Sequence, residues 1–146
     1  MMKLSAKVRY GLLALLELAD HYQQSSFLQV DEIVAAQNIP YRYLMQLLIS
    51  LRRSGIVRSH RGIKGGYCLT KAPENITLLE IVTCLEGIPQ PEKSGQASVE
   101  SVDNLLIEDI WSQANQSVMQ LFASYSLKSL SDKRKESRKS NQMYYI

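Results

Sequence analysis

The sequence predicts a mainly α-helical chain carrying one small β-hairpin, and three observations predict it. Leucines recur at helical spacing through residues 44–51. Two short strand-like runs flank a glycine-rich cationic segment at residues 60–66. Beyond residue 105, apolar residues keep near-heptad spacing over about five turns.

Ser5 is a good N-cap, and Val8, Leu12, Leu15, Leu16 and Ala19 follow at helical spacing, so residues 6–22 form an amphipathic helix. Asp31 and Glu32 open a short second helix, where their charge suits the positive end of the helix dipole, and Asn38 closes it. Pro40 is expected as the first residue of a third helix, whose stripe Leu44, Leu47, Leu48 and Leu51 runs until Ser54 and Gly55 stop it. The runs 56–59 and 67–70 make the hairpin, and Gly62, Gly65 and Gly66 let its tip take tight turns. Helix, tight turn, helix and basic hairpin together make a winged helix-turn-helix with a two-stranded β-wing.

Thr77 and Glu80 form a capping box before Ile81, Val82 and Leu85, and Gly87 ends that helix. Pro89, Pro91 and Gly95 mark residues 88–100 as a loop. Residues 101–130 then hold a long helix and a short one around Leu127 and Leu130. The stripe Leu106, Ile107, Ile110, Trp111, Ala114, Val118, Leu121, Phe122 and Tyr125 is too long and apolar for a lone surface helix. It packs either back on the winged domain, residues 1–87, or against its counterpart across a two-fold axis as a long C-terminal dimerisation helix. Residues 131–146 read as a basic disordered tail, apolar only at its last four residues.

Charge narrows the function. The net +3 conceals 10 Lys/Arg against 5 Asp/Glu in residues 1–75, 2 against 7 in residues 76–130, and 5 against 2 thereafter. No Asp or Glu stands between Ile33 and Pro73, a window holding Arg42, Arg52, Arg53, Arg58, Arg61, Lys64 and Lys71. Such a window suits a polyanion, the alternative being an ordinary solvated basic face. With the leucine stripe turned inward, Tyr41, Arg42, Met45, Gln46, Arg52 and Arg53 lie on or near the outer side of the third helix. Arg suits guanine and Gln suits adenine in the major groove, while Arg61 and Lys64 at the hairpin tip reach phosphates or a narrow minor groove. The glycine-rich tip lacks the GK[ST] and helix context of a nucleotide-binding loop.

Two cysteines, Cys68 and Cys84, are too few for a disulfide framework and point to a reducing cytoplasm. The amphipathic start, interrupted by Glu17 and Asp20, has neither a signal-peptide core nor a membrane span. His21 and His60 have no nucleophile at motif spacing, so no enzyme is expected.

Three motifs stand out: Lys3-Leu4-Ser5 to Arg9-Tyr10, Ile39-Pro40-Tyr41-Arg42-Tyr43-Leu44 with Leu47-Leu48, and Leu51-Arg52-Arg53-Ser54-Gly55-Ile56-Val57. Arg61-Gly62 through Gly65-Gly66-Tyr67, Pro73, Ile76-Thr77-Leu78 and Glu86-Gly87 extend them. Together they resemble the Rrf-two family of winged-helix regulators, which includes iron–sulfur, nitric-oxide and cysteine-metabolism regulators. The resemblance implies a homodimeric transcription factor, often a repressor, reading double-stranded DNA with a pseudo-palindromic operator. It assigns Tyr41, Arg42, Met45 and Gln46 to the major groove, Arg61 to the minor groove, and Ser5 and Lys7 to phosphate, beside the Arg53 and Lys64 read from charge. It supports the two-fold reading of the long helix, with Ile107, Ile110, Trp111, Ala114, Val118, Leu121 and Phe122 at the seam. Met45 stands where the family's iron–sulfur regulator has an acidic residue; methionine presses on a thymine methyl but accepts no hydrogen bond from cytosine.

The resemblance also implies three cysteines in the loop after Gly87, and this chain has none. From Ile88 to Asp109 the candidate iron ligands are carboxylates, Glu92, Glu100, Asp103, Glu108 and Asp109, poor replacements for thiolate at a cluster. No cofactor is therefore expected. The alternative is a redox or iron–sulfur sensor of the same fold using Cys84 or Cys68, which otherwise read as small core-filling residues, Cys68 among cations that favour a reactive thiolate. Without a cluster, the signal would come from a regulatory protein, a small-molecule effector or thiol oxidation. A winged helix serving as a protein-interaction or RNA-binding module is the third class; it would show an apolar or acidic recognition face, and this one is basic.

Overall fold

The computed structural model describes residues 3–24, 26–87 and 101–144. Its elements are α1 (Ala6–Asp20), a 3-10 turn (Tyr22–Gln24), α2 (Val30–Gln37), α3 (Tyr41–Arg53), β1 (Val57–His60), β2 (Gly66–Leu69), a second 3-10 turn (Pro73–Asn75), α4 (Leu78–Glu86), α5 (Val102–Ser124) and α6 (Leu127–Tyr144). The winged-helix reading holds. The expected loop 88–100 lies outside the described residues; Ser101, which follows it, caps α5 by accepting from the Asn104 amide at 3.2 Å.

Helix α1 is the centre of the domain. Ser5 caps it, its hydroxyl oxygen accepting from the Val8 amide at 3.2 Å. Its buried face is Val8, Gly11, Ala14, Leu15 and Leu18, with Leu12, Leu16 and Ala19 half-buried beside it. The buried band is wider than the stripe read from sequence because α2, α3, α4, α6 and β2 all touch this helix. At Gly11 α4 packs closely on α1, for a Cβ there would overlap the Leu85 side chain. In α3 the buried residues are Leu44, Leu47, Leu48 and Leu51, as the spacing requires. Pro40 differs by one position: it is the N-cap residue, its ψ of 128° still extended, and Tyr41 begins the helix. Asn38 ends α2 in the left-handed conformation, φ 52°.

The hairpin pairs antiparallel with Val57 opposite Leu69 and His60 opposite Gly66. It gains a third, single-residue strand: the Leu28 amide donates to the Tyr67 carbonyl at 2.9 Å and the Tyr67 amide donates back at 2.8 Å. The capping box at Thr77 and Glu80 is present in both directions, 3.1 Å each way.

Helix α5 is about 35 Å long by its rise per residue and buries none of its residues. Its C-terminal end is tied down, since the Leu78 amide donates to the Tyr125 carbonyl and the Leu127 amide to the Ile76 carbonyl, both at 2.8 Å. Of the predicted stripe only Val118, Phe122 and Tyr125, all in the C-terminal part, are half-buried; Ile107, Ile110 and Trp111 are 60–68% exposed, and Ala114 and Leu121 are also exposed. The stripe thus does not fold back along its length onto the winged domain.

The tail corrects the sequence reading. The disordered segment expected after residue 130 is instead helical, α6 running to Tyr144. Leu127, Leu130, Ser131 and Arg134 fall on one face of α6, and that face packs on α1 and on the 3-10 turn at Pro73–Asn75. Arg134 meets Glu17 at 3.0 Å and also pairs with Asp20. A tertiary ion pair overrides the low apolar content that made this segment look unable to order.

Candidate nucleic-acid interface

The long side chains that sequence assigned to DNA occupy the face of α3 opposite its leucines. Tyr41, Arg42, Gln46 and Arg53 are exposed, while Met45 is half-buried and offers only part of its side chain. Arg52 turns back toward the wing, its Nη1 donating to the Ser59 hydroxyl at 3.4 Å. This exposed contact links the C-terminal end of α3 to strand β1.

The wing tip is a tight turn, the Gly65 amide donating to the Gly62 carbonyl at 3.0 Å. Arg61, Ile63 and Lys64 are exposed on it. Glycine is required at position 66, where φ is 144° and a Cβ would run into the Leu28 carbonyl. Gln29, just before α2, braces the tip by donating from Nε2 to the Ile63 carbonyl at 3.2 Å. At the base of the wing the His60 ring stacks on Phe27, centroids 5.2 Å apart, and the Arg58 guanidinium lies 5.6 Å from the same ring. Arg58 Nε also donates to the Cys68 sulfur at 3.1 Å, and this hydrogen bond raises the Arg58 pKa above its already high ordinary value. Arg58 is therefore a permanent cation across the strand from Cys68.

Ser5 and Lys7 part company. The Ser5 hydroxyl both caps α1 and donates to the Glu86 carboxylate, so it is engaged internally, whereas Lys7 and the neighbouring Arg9 are exposed. Gln29, Phe27 and Arg9 are absent from the set of DNA-contacting residues read from the sequence. Only Arg9, a cation one turn into α1, carried a usable signal; the others act through contacts across 31 residues or more of chain.

The two thiols lie on separate elements, both half-buried. Cys68 is on β2, and Cys84 on α4 donates to the Ser50 carbonyl at 3.5 Å. Among the described residues no three His, Cys, Asp or Glu side chains come together as a metal site. Two thiols, one against a guanidinium and one against a backbone carbonyl, do not supply the donor set of an iron–sulfur cluster.

A winged helix with this basic face matches, over residues 4–133, the family model described as Rrf2, iron-dependent transcriptional regulator. The chain belongs to the Rrf2 family. IscR of Photorhabdus laumondii is 31% identical over 130 residues, which cover 88% of this chain and 79% of that protein. CymR of Bacillus subtilis is 40% identical over 90 residues, 62% of this chain and 64% of CymR. The solved structure of the B. subtilis protein, the global cysteine regulator of that organism, superposes with a TM-score of 0.76 at 32% identity, covering 90% of this chain and 98% of CymR. IscR of T. potens superposes equally well, TM-score 0.76 at 26% identity over 93% and 90% of the two chains. The Rrf2 chain is thus a DNA-binding transcriptional regulator and not an enzyme. Among the described residues no helix is long and apolar enough to cross a membrane.

Proposed function

We propose that this Rrf2 protein is a cytoplasmic homodimer that represses transcription from a pseudo-palindromic operator, without an iron–sulfur cluster. The observation that carries the proposal is the pairing of an exposed basic reading head with an exposed apolar helix. Ile107, Ile110 and Trp111 stand 60–68% exposed on α5, a patch that water disfavours and a second copy of α5 covers. A two-fold pairing there sets two copies of α3 and two wings against one duplex, which squares the specificity available to a single small domain.

Within each half-site, Arg42, Gln46 and Tyr41 read the major groove with Met45 pressing from the side. Arg61 and Lys64 enter the minor groove or hold its phosphates, and Lys7 and Arg53 hold backbone phosphates. Ser5 serves this surface by capping α1 rather than by holding phosphate through its own hydroxyl. The missing loop cysteines support a signal other than a bound cluster: a partner protein, a small molecule or oxidation of a thiol. Purification without oxygen, followed by an absorbance spectrum and an assay of iron and acid-labile sulfide per protomer, tests this. A colourless, iron-free dimer that binds its own promoter is expected; stoichiometric iron and sulfide would overturn the cluster-free reading and direct mutagenesis to Cys84 and Cys68.

A further inference from the structure

Ile63 is 95% exposed, the most exposed large apolar side chain among those of the described residues, and it sits in the tip turn of the wing. It stands apart from the exposed hydrophobics of α5. It forms, with Lys64, the corner of the turn closed by the Gly65 amide on the Gly62 carbonyl. Turn corners favour Gly, Asn, Asp, Ser and Pro, so a β-branched apolar residue there serves neither the turn nor the solvent. Its backbone is held: Gln29 Nε2 donates to the Ile63 carbonyl at 3.2 Å, and the Leu28–Tyr67 bridge anchors the strand behind it. The side chain is therefore presented to solvent by a braced turn rather than left on a loose loop.

We propose that Ile63 is an apolar wedge that enters the minor groove between Arg61 and Lys64, resting on the deoxyribose walls. This inference rests on the reading of the wing as a DNA-contacting element. The minor groove offers two chemistries: phosphates along its rims, and apolar sugar C–H groups along its inner walls. Arg61 and Lys64 match the first, and Ile63 matches the second. An apolar contact releases no counterions, so its contribution is independent of salt, whereas a cation's contribution falls as salt rises.

That difference gives the test. The full-length protein is titrated against a duplex recovered by selection from random DNA with the same protein, across a salt series, for wild type, Ile63→Ala, Ile63→Ser and Arg61→Ala. Both Ile63 variants are expected to lose about 5- to 20-fold in affinity at every salt concentration with an unchanged salt slope. Arg61→Ala is expected to lose affinity with a slope shallower by about one. Because Ile63 contacts solvent in the free protein, thermal melting of its variants should match wild type. Affinity within two-fold of wild type for both Ile63 variants, alongside a clear loss for Arg61→Ala, would overturn the wedge while leaving the wing on DNA. Wild-type affinity for all three variants would instead remove the wing from the interface.

Discussion

Arg134 on α6 and Glu17 on α1, 117 residues apart in the chain, form an ion pair at 3.0 Å. The same guanidinium pairs with Asp20 and donates from Nη2 to the Leu16 carbonyl at 3.3 Å, while Ser131 donates to Asp20 at 3.0 Å and Gln37 to Glu17 at 2.6 Å. With side-chain exposures of 13% for Arg134 and 14% for Glu17, water screens this cluster poorly. Helix α6 is held by one cation satisfying two carboxylates of the central helix.

Arg134→Met removes that cation and leaves Glu17 and Asp20 facing each other half-buried. A loss of about 1–3 kcal/mol is expected, with most of it recovered when Glu17→Gln and Asp20→Asn are added. Thermal melting at fixed protomer concentration measures it. Equal melting of Arg134→Met and wild type would show that the ion pairs add nothing and that Leu127, Leu130 and Ser131 hold α6 without them.

Much of this architecture is legible in the residues, and the exceptions share a cause. Leu44, Leu47, Leu48 and Leu51 announce the buried face of α3, and Thr77 with Glu80 announces the start of α4, because helical spacing and caps are local. Arg134 sits among Lys133, Lys135, Arg138 and Lys139, so locally it reads as one more solvated charge; its partners lie on α1. The faint signal was Leu127, Leu130, Ser131 and Arg134 at helical spacing. Leu28 pairing with Tyr67 was equally invisible, since a one-residue strand has no periodicity. In the reading head, exposure of Arg42 and Gln46 followed from the leucine stripe, but the internal engagement of Ser5 by Glu86 depended on α4 folding back over α1.

Gly66→Ala forces a side chain into the left-handed region against the Leu28 carbonyl, at a local cost of about 1–3 kcal/mol. The wing should detach from Leu28 while α1–α4 stay folded. Hydrogen exchange reads this as lost protection at the Leu28 and Tyr67 amides with α3 unchanged, accompanied by weaker specific DNA binding. Retained protection at both amides would contradict the steric assignment.

Gln46→Ala should relax base preference at one position in each half-site, by about 1–3 kcal/mol of discrimination, with little change in non-specific affinity. Binding to a panel of single-base operator variants measures it. A preference profile identical to wild type would take Gln46 out of the readout.

Ile110→Asp places a charge in the exposed seam of α5, where the isolated chain tolerates it and a paired helix does not. Sedimentation should show a monomer with native helicity, and operator affinity should fall by at least about a hundredfold because each half-site then binds alone. A variant that still sediments as a dimer would move the two-fold interface off this face.

Selection of bound duplexes from a random library by the full-length protein tests the central claim most directly. A two-fold operator read by paired α3 helices predicts an enriched inverted repeat, with half-site centres separated by roughly one helical turn or a multiple of it, and sharp loss of binding when that spacing changes by half a turn. Enrichment of a single unrepeated site, or of no sequence at all, would contradict it.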